Sequence, residues 1–349
     1  AMVVRGKRGT IYDRNGNPLA VSIESPSIAA YPGRIGDRRA TAAALAKLLG
    51  KSPGSIYKKL DSKRPFVWIK RQATPRQADG VAALGLAGID FIPEHTRVYP
   101  GKTMAAQLLG FSGIDGHGLE GMEFYLDASL TGTEKKITVL EDALGRRFEG
   151  LGSPLPLGEG NSAVLTIDST IQHITQKALE ASVTEFDAAS GMAIVMAPAT
   201  GEVLALAHYP FFNPNRYRDF TRTLWRNRAV TDPFEPGSTM KMFSVAAAID
   251  SGVSSPSTIY YCENGEYRIG RNTIHDTKSH GWLSLQQIVK YSSNIGAVKI
   301  AEKLGARQLH DYLSAFGFGQ RSGINCPGET AGSLSSPTTW SAIDTGAIA

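Results

Sequence analysis

The stretch that most limits how this 349-residue chain folds is Leu151 to Ser162, LGSPLPLGEGNS. It holds prolines at 154 and 156 and glycines at 152, 158 and 160, with no apolar period of two or of 3.6. Proline removes a backbone donor and glycine leaves the chain unrestrained, so neither a helix nor a strand ladder runs through it. A division is therefore expected here: an N-terminal module at 1–150, a linker at 151–162 and a second domain at 163–349. The charge changes at the same place. Residues 1–150 carry 22 Lys+Arg against 15 Asp+Glu, whereas residues 151–349 carry 15 against 17. A basic first half suits an anionic surface or an acidic partner. Its charges are dispersed and no base-stacking motif accompanies them, which argues against nucleic acid.

Local patterns predict an α+β chain. Gly9 to Ala20 (GTIYDRNGNPLA) reads as a hairpin turning at Asn15-Gly16, residues that accept positive φ. Thr41–Leu49 and Thr74–Leu84 have helical apolar spacing, and the glycine-dense run Lys102–Asp127 suits turns and close backbone approach. Beyond the linker come a short strand, Ala163–Ile167, a cap at Asp168 and a helix Ser169–Phe186. That helix is expected to bury Ile171, Ile174, Ala178 and Leu179. The runs Gly191–Ala197 and Gly201–Ala207 read as an antiparallel hairpin, and further helices follow.

The chemistry is carried by Glu235-Pro236-Gly237-Ser238-Thr239-Met240-Lys241. Pro236 and Gly237 interrupt the chain and an apolar helical segment follows, so Ser238 falls at a helix N-terminus, where N–H groups favour negative charge. Lys241 comes one turn later on the same face. A serine hydroxyl is a weak nucleophile until a base takes its proton, and a lysine serves when burial lowers its pKa. Ser-x-x-K alone also describes a cap beside a solvated lysine. A second element, Tyr291-Ser292-Ser293-Asn294 between two helical stretches, tips the balance: a hydroxyl to relay a proton and an amide to pair with a peptide backbone.

In this order the motifs resemble those of the penicillin-binding proteins and active-site serine β-lactamases. Arg8 to Ala20, Arg97-Val98-Tyr99-Pro100 and Gly118-Leu119-Glu120-Gly121-Met122-Glu123 are similar to the N-terminal motifs of the class B penicillin-binding proteins. Asn227 to Asp232 leads into the serine motif as it does there. Phe66 to Gln72 and Phe111 to Gly116 resemble the division-type branch, the FtsI (PBP3-like) transpeptidases.

The resemblance implies a pedestal module joined to a transpeptidase domain, an antiparallel sheet flanked by helices. It also implies D,D-transpeptidation of peptidoglycan in septal wall synthesis. Ser238 would attack the D-Ala-D-Ala carbonyl of a stem peptide and supply one oxyanion donor from its backbone N–H; Lys241 would act as base, Ser292 as proton relay and Asn294 as a hold on the substrate amide. β-Lactams would trap Ser238. No cofactor or metal is implied. The expected partners are stem peptides, β-lactams and membrane proteins of the division machinery, with the catalytic domain periplasmic and anchored in the inner membrane.

The family's third motif, K-[ST]-G, is not found in the chain; Lys102-Thr103-Met104 and Lys278-Ser279-His280 do not supply it. Trp340 to Ala349 reads as the helix preceding that strand. The expectation is therefore a catalytic domain that stops short, with weak or absent transpeptidation. At the other end, Ala1-Met2 reads as a cloning remnant, with a membrane anchor expected upstream.

Other classes fit less well. With 42% hydrophobic and 20% charged residues the chain is neither disordered nor membrane-spanning over any run near 18 residues. Two cysteines, Cys262 and Cys326, form no disulfide scaffold and are expected as thiols. His275 and His280 flank Asp276, a grouping that could suggest a catalytic or metal site but is read as polar loop residues near a substrate groove, and Tyr209, Phe211 and Phe212 are read as core or groove wall. The alternatives to a transpeptidase are a serine β-lactamase or β-lactam sensor, and an inactive scaffold of the division complex.

Overall fold

A computed structural model describes residues 2–137, 140–141, 147–148 and 158–348. Most of the expected linker, residues 151–157, lies outside the described residues. Contacts gather the chain into two compact units, 1–229 and 230–349.

Within the first unit, a three-stranded antiparallel sheet has Ser27–Ala30 at its centre, with Val67–Lys70 and Ile89–Ile92 on either side. The helices Arg38–Leu49, Pro53–Leu60 and Pro75–Ala82 share one hydrophobic core with this sheet, made by residues such as Ile28, Leu45, Ile56, Leu60 and Ile69. Each helix starts where its sequence dictates. Asp37 accepts from the Arg39 and Ala40 amides, Ser52 from Ser55, and Thr74 forms a reciprocal capping box with Gln77.

A second sheet holds the predicted hairpin, Ile11–Tyr12 against Pro18–Glu24, with His95–Val98 along its outer side. Ala163–Val164 adds in parallel beside Ile11–Tyr12. Three sequence motifs meet here around a buried carboxylate. Glu123 is fully buried and accepts from Arg8 Nε at 2.7 Å and Arg97 Nε at 2.6 Å. Arg8 also reaches Asp127 at 2.6 Å, and the Tyr99 hydroxyl donates to Glu123 at 3.3 Å. Buried charges persist only when paired and hydrogen-bonded, so this network fixes how the three segments cross. The glycines serve the same crossing: a Cβ on Gly110 would lie 1.9 Å from the Glu120 carbonyl oxygen. The glycine-dense run is nonetheless part of the core, with Leu108, Leu109, Phe111 and Met122 buried.

The unit is completed by the helix Ser169–Glu185, capped by Asp168 as expected, and the antiparallel hairpin Gly191–Met196 and Val203–Tyr209. The buried face of this helix is not the expected one. Ile174 is 61% exposed, whereas Gln172 and Gln176 are buried. The Gln172 amide donates to the Leu206 carbonyl at 3.0 Å and its oxygen accepts the Leu206 N–H at 2.8 Å. Gln176 does the same for the Thr103 carbonyl and the Ala105 N–H. Backbone groups facing the helix need polar partners, and that need overrode the apolar stripe. Phe212 is core, packed edge-on against Phe111, and Tyr209 and Phe211 meet edge-on at 5.1 Å.

In the second unit the helix Asn294–Leu304 touches the helices Met240–Asp250, Leu285–Tyr291, Ala306–Ala315 and Ala342–Ile348. Ala247, Ile288, Ile295, Ile300, Leu309 and Leu313 form the core. Two antiparallel pairs complete it: Ile259–Tyr261 with Trp282–Ser284, and Glu266–Ile269 with Asn272–His275. Cys262 and Cys326 are both free and buried.

Candidate active site

The four residues singled out in the sequence converge in the second unit. A 3-10 turn, Gly237–Thr239, leads directly into the helix Met240–Asp250. Ser238 is exposed on the turn and Lys241 lies buried one turn on. Lys241 Nζ lies 3.1 Å from Ser238 Oγ, 3.0 Å from both Ser292 Oγ and the Ser292 carbonyl oxygen, and 2.7 Å from Asn294 Oδ1. The amine thus sits beneath two open hydroxyls.

Ser-x-Asn takes this shape because a sharp reversal joins two helices. Leu285–Tyr291 ends at Ser292 in the left-handed region (φ 54°, ψ 44°), and Ser293 returns to extended backbone as the cap of Asn294–Leu304. Left-handed backbone is unfavourable for a side chain-bearing residue and persists only when its surroundings enforce it. Here the turned carbonyl of Ser292 is held by the lysine. The helices also need to close on each other: a Cβ on Gly296 would sit 2.5 Å from Ile288 Cγ1. The middle serine faces away from the lysine and donates from its hydroxyl to Asp276 at 2.7 Å.

Burial depresses the Lys241 pKa below the usual lysine value, while the charge of Asp276 opposes that shift. The hydrogen-bond inventory then fixes how a neutral amine would sit. Asn294 Oδ1 and the Ser292 carbonyl accept only, so they take its two hydrogens. The remaining lone pair is left for a hydroxyl hydrogen, that of Ser238 or Ser292. A protonated lysine has three hydrogens, donates to a serine oxygen as well, and has no lone pair.

Asp276, expected only as a polar loop residue near a substrate groove, has a structural role in the site that the sequence does not show. Its Oδ1 accepts the Asn294 and Ile295 amides at 2.6 and 3.0 Å. The HDTKSH loop signalled polarity but not this role, because the capped amides lie eighteen and nineteen residues away. Its neighbours are not part of the lysine cluster: the exposed His275 contributes its carbonyl to Asn294 Nδ2 at 2.9 Å, and His280 stacks on Tyr291. Among the described residues no group of three or more His, Cys, Asp or Glu is arranged to hold a metal ion.

A lysine set between Ser-x-x-Lys and Ser-x-Asn, on helices following a mixed N-terminal module, defines a penicillin-binding architecture. The chain belongs to the penicillin-binding proteins. The family profile described as penicillin-binding protein dimerisation domain matches residues 3–161, and that of the penicillin binding protein transpeptidase domain matches 191–349. Among curated proteins it is 36% identical over 342 residues to the probable peptidoglycan D,D-transpeptidase PenA of Neisseria meningitidis, covering 97% of this chain and 58% of that one. It is 34% identical over 348 residues to the peptidoglycan D,D-transpeptidase FtsI of Escherichia coli, covering 98% and 59%. Penicillin Binding Protein 2X from Streptococcus thermophilus has a similar solved structure, with a TM-score of 0.75 at 25% identity, covering 99% of this chain and 55% of that one. The chain thus spans somewhat less than three-fifths of the length of these relatives.

Proposed function

We propose that this chain is the pedestal and serine-bearing part of a division-type peptidoglycan D,D-transpeptidase. The observation that carries the reading is the lysine amine, 3.1 Å from Ser238 Oγ and 3.0 Å from Ser292 Oγ. Neutral Lys241 takes the Ser238 proton as Oγ bonds to the penultimate D-Ala carbonyl carbon of a stem peptide. The developing oxyanion is met by the Ser238 backbone N–H, near the helix N-terminus. Collapse breaks the peptide bond, and the proton held by Lys241 passes through the Ser292 hydroxyl to the leaving D-Ala amine. The ester then passes to the amine of a second stem, which gives up its proton along the same path. Asn294 Oδ1, already accepting from Lys241, keeps a second acceptor direction for a substrate amide.

The same reading gives the parts their places. Residues 1–150 act as a pedestal for membrane proteins of the division machinery, 151–162 as the joint and 163–349 as the catalytic domain. The site works outside the cytoplasm, where wall is made, and β-lactams acylate Ser238. Among the described residues no helix is long and apolar enough to cross a membrane.

Labelled penicillin followed by intact-mass and peptide mass spectrometry tests this. The expected result is a single stable penicilloyl adduct on Ser238, absent from Ser238→Ala and strongly reduced in Lys241→Met. An adduct elsewhere, or none, refutes the mechanism and favours a scaffold. Hydrolysis of the adduct within seconds favours a lactamase.

A further inference from the structure

Ser-Ser-Asn is held from two sides, and only one of them is the lysine. On the far side, the Asp276 carboxylate accepts the Ser293 hydroxyl at 2.7 Å and the first two amides of the helix Asn294–Leu304 at 2.6 and 3.0 Å. Those amides have no partner within their own helix, and Ser293, the cap, spends its oxygen on the Gly296 amide at 2.9 Å. Asp276 is itself fixed: its N–H donates to the Gly265 carbonyl at 3.1 Å, and the preceding carbonyl, of His275, holds Asn294 Nδ2 at 2.9 Å. One short segment therefore sets both the start of this helix and the roll of the Asn294 amide, whose other end touches Lys241 at 2.7 Å.

We infer that Asp276 is a positioning residue for the catalytic lysine: it locks the Ser-x-Asn turn and, through Asn294, fixes the group that holds Lys241, with its own carboxylate charge standing behind that turn. This rests on the reading of Lys241 as the base. Lys299 and Glu263 pair at 2.5 Å beside Cys262, and the side chains of His275 and Lys278 are exposed. Burial lowers the Lys241 pKa, and the Asp276 charge, one residue's side chain behind Asn294, works against that shift. Removing it works in two opposed directions. The turn loosens, which slows acylation, while the lysine becomes easier to deprotonate, which moves the acid limb of the rate profile to lower pH. A merely structural cap would slow the reaction and leave the limb in place.

The test compares wild type, Asp276→Asn and Asp276→Ala. Competitive acetylation with isotope-labelled acetic anhydride, read by mass spectrometry on the Lys241 peptide across pH, reports the lysine whether or not the chain turns over. Asp276→Asn is expected to lower the labelling midpoint by about half to one pH unit, the size of a partly screened interaction between neighbouring charges. Deuterium exchange at Asn294 and Ile295 is expected to rise about tenfold or more in Asp276→Ala. Asp276→Asn keeps volume and one acceptor, so it carries the test where alanine does not fold. An unmoved midpoint overturns the inference, even if exchange rises. A shifted midpoint in a chain that forms no Ser238 adduct would leave the coupling standing and remove the catalytic reading instead.

Discussion

Glu123 offers the sharpest test of what holds the N-terminal module together. Its carboxylate is fully buried and receives two guanidinium groups, Arg8 at 2.7 Å and Arg97 at 2.6 Å. Glu123→Gln preserves the volume but removes the charge and replaces one acceptor oxygen with a donor. Arg8 keeps Asp127 at 2.6 Å. Arg97, 5% exposed at its side chain, keeps only the Gly9 carbonyl and the Ser22 hydroxyl. One charge-assisted bond, about 1.5–3 kcal/mol, is lost, and a buried cation loses its counterion, which places the total at about 3–5 kcal/mol. For a folded unit of this size that is a fall of roughly 6–20 °C in the melting temperature. Calorimetry resolves the transition of this unit from that of the other, which need not melt with it. A Glu123→Gln chain melting within about 2 °C of wild type would mean that the ion pairs do not join the three motifs, and the account of their convergence would fail.

Acylation of Ser238 requires neutral Lys241, so its rate should fall about tenfold per pH unit below the lysine's pKa, which burial holds under the ordinary value; a pH-independent rate would exclude the lysine as base. Gly296→Ala drives a Cβ into Ile288 and should destabilise the second unit by about 1–3 kcal/mol while slowing labelling, with partial recovery in the double variant that trims Ile288 to Val. Denaturation at several pH values tests Asp13. Burial works against its charge, but hydrogen bonds from Asn17 and Ser169 outweigh that and hold the carboxyl well below the usual carboxylate range. Its contribution is therefore present above about pH 4 and lost as pH falls toward the depressed value, so the gap between wild type and Asp13→Asn should be about 1–3 kcal/mol at neutral pH and shrink in acid.

Much of the local structure was legible because it depends on neighbours in sequence. Asn15-Gly16 turns the first hairpin, Asp168 caps the helix it was expected to cap, and Pro198 to Gly201 turns the second hairpin. Ser238 and Lys241 share a helix face because they are one turn apart. The buried face of the long helix is hidden from the sequence for the opposite reason. Gln172 and Gln176 are buried to satisfy the backbone at Leu206, Thr103 and Ala105, contacts that span from 34 to 73 residues and leave no mark on an apolar stripe.

Residue types and their order define the chemistry available: a hydroxyl, an amine one turn away, a second hydroxyl and an amide. Order along the chain says nothing about which serine of Ser292-Ser293 meets the lysine. The left-handed backbone at Ser292 decides it, turning that residue toward Lys241 and handing Ser293 to Asp276. Asp276 itself has no spacing that marks it, since its partners lie on a helix brought to it by packing. Short-range patterns are written in dihedral preference and hydrogen-bond type, whereas a charge placed behind a turn exists only once the chain has closed around it.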